Sequence, residues 1–206
     1  MLSYVRTQAE TRRVKAEALT PELIRDFVIA GHMDLEKVKR MYEEHPALLN
    51  AAHPWKESDH ETAVQAAAQM GNVAVAKYLL SKGAPLEICT AAMLGRTEDV
   101  KRLLYRDPKD IGATGAHGIP LLAHAALSDN LDLVQLLFNQ GAHQGVSFAL
   151  HNAISRNNYD VTRWLLGTGK VDLVWKNYQG KTALAFANEK GYGEIVSLLR
   201  QYGASE

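Results

Sequence analysis

The stretch "CTAAMLGRTEDVKRLL" (residues 89–104) decides the fold, because a near-copy, "QAAAQMGNVAVAKYLL", stands at 65–80, 24 residues upstream. Each copy reads as a short helix rich in small residues, a turn, and a second helix with apolar residues at helical spacing, as at Val75, Leu79 and Leu80. Working outward, the same turn-plus-helix unit recurs as "DNLDLVQLLFNQGA" from Asp129, "NNYDVTRWLLGTGK" from Asn157 and "GYGEIVSLLRQYGA" from Gly191. A weaker copy, "MDLEKVKRMYEEHP", starts at Met33. Upstream of the five clear copies lie Ala67–Ala68, Ala91–Ala92, Ala125–Ala126, Ala153 and Ala187, small side chains that let stacked helices approach closely. The Gly or Asn after most of these first helices suits a left-handed residue that ends a helix.

The pattern resembles the ankyrin repeat, whose helix-start motif is partly kept in "ETAVQAAAQMG", "GIPLLAHAA", "SFALHNAI" and "GKTALAFAN". The closing Gly-Ala pair stands at Gly83–Ala84, Gly141–Ala142 and Gly203–Ala204. The resemblance implies an all-α solenoid of about six helix pairs with β-turn fingers. It places a capping helix or arm at 1–19 and a single repeat domain at 20–206. The repeats fall at about 20–49, 50–84, 85–107, 108–142, 143–169 and 170–204.

The turn residues stand at 33, 71, 95, 129, 157 and 191, giving spacings of 38, 24, 34, 28 and 34. Against an ankyrin period of about 33 residues, the short steps leave no room for a finger. The expectation is full-length fingers only at 50–61, 108–119 and 170–181, with a notch between the first two floored by the first helix of the third repeat.

At 206 residues the chain is long enough to bury roughly 70% of its unfolded surface. Its 23 basic and 23 acidic residues argue against a nucleic-acid or anionic-membrane surface. A single cysteine, Cys89, excludes an internal disulfide and fits a reducing compartment, so a cytoplasmic location is expected. No run of 18 apolar residues suggests a membrane span, and the N-terminus, with Arg6, Arg12, Arg13 and Lys15, does not read as a secretory signal.

In ankyrin-like proteins the partner surface is the concave face formed by finger tips and first helices. On that face the sequence places Met70, Met93, Leu94 and Leu127 as an apolar strip, with His124 beside it and Arg156 at its polar end. Exposed apolar surface of this kind marks interaction sites, although neighbouring repeats could equally cover it as core. The fingers add Glu61, His117, Tyr178 and Lys181. Trp55 and Trp175 read as packing beneath their own fingers. These residues point to a non-enzymatic protein-binding module whose partner is another protein.

Chemistry is the rival reading. The eight histidines form no pair at i+3 or i+4 on a helix and no recognised zinc signature. Asp59, His60 and Glu61 could face His117 across the notch, as a metal site or acid–base set of a small enzyme or ligand-binding protein. No catalytic residue, metal or cofactor is expected. Cys89 reads as a buried core residue and His151 as structural.

Overall fold

The computed structural model describes residues 19–205, so the expected cap or arm at 1–19 lies, except for Leu19, outside them. The described chain is mostly helical. Two helices, α1 (Pro21–Met33) and α2 (Leu35–Glu44), lead through a 3-10 turn at Pro46–Asn50 into a hairpin of β1 (Ala52–Lys56) and β2 (Asp59–Thr62). Then come α3 (Ala63–Met70), α4 (Val73–Ser81), α5 (Ile88–Met93) and α6 (Thr97–Arg106). Short 3-10 turns at Pro108–Gly112 and Ala116–Gly118 precede α7 (Leu121–Ala125) and α8 (Leu131–Asn139). The chain closes with α9 (Val146–Ser155), α10 (Tyr159–Gly167), α11 (Ala183–Lys190) and α12 (Gly193–Gln201). The hairpin, antiparallel with His53 opposite Glu61, departs from a purely helical class.

The helices form two layers. In one, α1, α3, α5, α7, α9 and α11 pack each on the next; in the other, α2 contacts α4, and α8, α10 and α12 follow one another. Alanines at 67, 91, 125, 153 and 187 are completely buried between the inner helices, where larger side chains would hold them apart. Gly31 does the same for α1, since a Cβ there would lie 2.6 Å from the Ala63 carbonyl oxygen.

Local signals explain the starts and stops. Asn72, Asn130 and Asn158 cap α4, α8 and α10 by accepting the Val75, Leu133 and Val161 amides. Thr62 opens α3 with a capping box closed by Gln65. Among the anticipated left-handed residues, Gly71, Gly95, Asn157 and Gly191 have φ between 54° and 74°. The segment from Ala84 to Glu87 joins α4 to α5 with no turn of its own.

The core divides into two clusters. One runs from α5 to the C-terminal helices, and the other centres on α1 to α4. Met93 and Leu127 belong to the second, although they arise from α5 and from the turn after α7. Among the described residues no helix is long and apolar enough to cross a membrane.

Candidate functional site: a concave groove and a finger junction

The inner helices and the 170–181 loop enclose a cleft of about 350 Å³. Its walls include Met70 of α3, Leu127, Phe148 and Asn152 of α9, Tyr178 of the loop, and Phe186 of α11. The volume lies at the lower end of the roughly 300–1,000 Å³ typical of ligand clefts. Met70 is 43% exposed and Tyr178 90% exposed, so both offer apolar area at the rim. Trp175 underpins this loop, stacked on Phe148 with ring centroids 5.7 Å apart and edge-on to His151 at 5.0 Å.

Burial corrects four of the expected placements. Met93, Leu127, His124 and Glu61 are 1%, 6%, 1% and 0% exposed. The turn after α3 meets the turn after α7 and the end of α9. A Cβ on Gly71 would lie 3.4 Å from that of Leu127, and the Arg156 guanidinium donates to the carbonyls of both Gly71 (2.7 Å) and Leu127 (3.2 Å). The closure covers Met93 and Leu127 and leaves Leu94 half-buried against the same cluster. Arg156, although exposed, uses its guanidinium to hold this junction. Lys181 is paired with Glu189. His124 is packed beneath Gly115, and its Nδ1 donates to the Pro120 carbonyl at 3.1 Å.

The expected notch is bridged. His117, from the loop before α7, meets the hairpin directly: its backbone amide donates to Asp59 Oδ1 at 3.0 Å, and its Nδ1 lies 2.7 Å from Asp59 Oδ2. Hydrogen bonding by His117 holds the Asp59 carboxyl below the usual carboxylate range. His117 Nε2 stands 3.5 Å from Glu61 Oε2, which also accepts a 2.6 Å bond from Trp55 Nε1. His32, on α1, brings its Nε2 to 3.7 Å from Glu61 Oε1. His32, Glu61 and His117 each offer a ligand atom within 4.8 Å of the others.

Of the four residues named across the notch, Asp59, Glu61 and His117 come together, with Asp59 behind His117. No hydrogen bond or ion pair links His60 to this group. His32 was not legible as a partner: it lies 29 residues before Glu61, and only the docking of α1 through Gly31 brings the two together.

Cys89 is buried, with its thiol pushed up to about 12 by burial and the nearby Glu87 and Asp110. Labelling of the folded protein by a thiol reagent at neutral pH is expected to run orders of magnitude slower than in denaturant, since the thiolate is the reacting species. Equal rates in a time-resolved thiol assay would contradict this burial.

These features define a mostly helical repeat protein. The family description "Ankyrin repeats (3 copies)" matches residues 88–168 and 121–206, and "Ankyrin repeat" matches 59–91. The chain belongs to the ankyrin-repeat family. Over 153 residues it is 30% identical to the probable 26S proteasome regulatory subunit p28 of Saccharomyces cerevisiae. That match takes in 70% of this chain and 66% of the yeast protein.

Proposed function

We propose that this chain is a non-enzymatic interaction module that takes a segment of a partner protein into its concave groove. The observation that carries this reading is the largely apolar cleft rimmed by exposed Met70 and Tyr178. Its dimensions suit a side chain or two of a docked loop, helix or terminus, with burial supplying affinity and Asn152 and Ser155 offering hydrogen bonds. We read the twelve helices as six repeats whose finger length alternates, the missing finger at 84–87 being what lets the groove curl inward. The balanced charge favours a protein partner over nucleic acid or membrane, and the setting we assign is cytoplasmic. The yeast relative is described as a regulatory subunit, a role in keeping with a chain that acts by docking.

The test is a partner captured from the native organism and measured again with purified components. Met70→Glu and Tyr178→Ala are expected to change folding stability by no more than about 0.5 kcal/mol. Each should weaken the complex at least about tenfold, as loss of an anchoring side chain packed against a partner does. Tyr105→Ala, equally exposed but on α6, serves as the control. Unchanged affinity in both groove variants would place the partner elsewhere.

A further inference from the structure

Glu61 is fully buried, yet its Oε1 accepts no hydrogen bond, while Oε2 is held by Trp55. A carboxylate removed from water in this way requires a compensating charge. The groups facing it are two imidazole nitrogens at 3.5 Å and 3.7 Å, beyond ordinary hydrogen-bond length. Ligand atoms about 2.0–2.1 Å from a tetrahedral ion lie roughly 3.3–3.4 Å from one another, and the two separations, one to each Glu61 oxygen, lie within a few tenths of an ångström of that.

Both histidines are also set in orientation. His32 Nδ1 lies 3.1 Å from the Val28 carbonyl oxygen, and His117 Nδ1 lies 2.7 Å from the Asp59 carboxylate. A proton on Nδ1 satisfies each contact, which leaves the Nε2 lone pairs aimed at Glu61. Metal-binding histidines are oriented in this way, by a carbonyl or carboxylate behind the ring. His117 holds a left-handed backbone with φ 58°, which costs a non-glycine residue energy. Asp59 secures that conformation by taking both the amide and the ring nitrogen.

We propose that His32, Glu61 and His117 form a binding site for a divalent transition-metal ion of the zinc class, with Asp59 and Trp55 as positioning residues. Two neutral imidazoles and one carboxylate suit zinc better than calcium or magnesium, which take oxygen ligands. Three protein ligands leave a fourth position, on the partly exposed His117 side, for water or a donor atom of an arriving molecule. The ion would tie α1, the hairpin and the loop before α7 into one unit. This site is separate from the groove, and either can fail alone.

The test uses the full-length chain, stripped with a chelator and titrated with Zn²⁺ by calorimetry, with metal content measured after desalting. One equivalent per chain is expected. His117→Asn is the first variant, because asparagine tolerates the left-handed backbone; His32→Gln, on the half-exposed end of α1, is the second. Both should bind at least about tenfold more weakly while keeping the wild-type circular dichroism. Asp59→Asn, which leaves all three ligands in place, should lose about 10- to 100-fold in affinity. The distant His143→Ala should match the wild type, and a fixed concentration of Zn²⁺ should raise the melting temperature of the wild type more than that of the two ligand variants. A wild type that takes up no Zn²⁺, or ligand variants that bind it as tightly as the wild type, overturns the proposal.

Discussion

Truncating Met93 to alanine is expected to lower the unfolding free energy by about 2–5 kcal/mol, the cost of removing a buried long side chain and leaving a cavity. Met93 is 1% exposed and joins the cluster formed by α1 to α4, so its loss is felt on both sides of the junction with α5. Met93→Glu should do worse, since a carboxylate there gives up its hydration inside an apolar cluster, and the variant should not fold cooperatively. Met70→Ala, on the neighbouring inner helix but 43% exposed, should stay within about 0.5 kcal/mol of the wild type. Denaturant titration of the three variants separates these outcomes. A Met93→Glu protein with wild-type stability would mean that the repeats do not close over this position.

Acidification supplies the second large effect. Burial pushes the pKa of His124 down to about 4 against its Pro120 hydrogen bond, and that of His151 down to about 4 against a backbone hydrogen bond at Trp175. The ordinary value is about 6.5, so the unfolded chain takes up these protons first. The stabilisation is therefore complete above about pH 6.5, falls as pH drops, and levels off near pH 4. Linkage gives a loss of about 2 kcal/mol per histidine between about pH 7 and pH 5. Asp59 and Glu189, held low by His117 and Lys181, act in a lower window, beneath the ordinary carboxylate range. Urea midpoints at the two pH values measure the slope. His124→Gln should flatten it by about half, and a wild type equally stable at both would show that these rings are not buried in neutral form.

The groove and the finger junction differ in how far they could be read in advance. The groove rim was legible because Met70 and Tyr178 follow from period and position: one ends an inner helix, the other sits in a full-length loop. The junction was half legible. Asp59, Glu61 and His117 stood in two loops that the spacing had already brought close in repeat order, but nothing in "AGHMD" marks His32 as their neighbour.

By itself the sequence determined the local structure: which residues form helices, where asparagines and glycines end them, and which alanines let inner helices touch. Those properties depend on residues a few positions apart, so periodicity and capping chemistry reveal them. Only the tertiary structure decided that Met93 and Leu127 are core, that Arg156 spans 85 residues to the Gly71 carbonyl, and that two fingers meet at Glu61. Each depends on how sharply the stack of helix pairs curls. That curvature is a sum of small rotations between helix pairs, set by the packing of many side chains at once, and no single repeat encodes it.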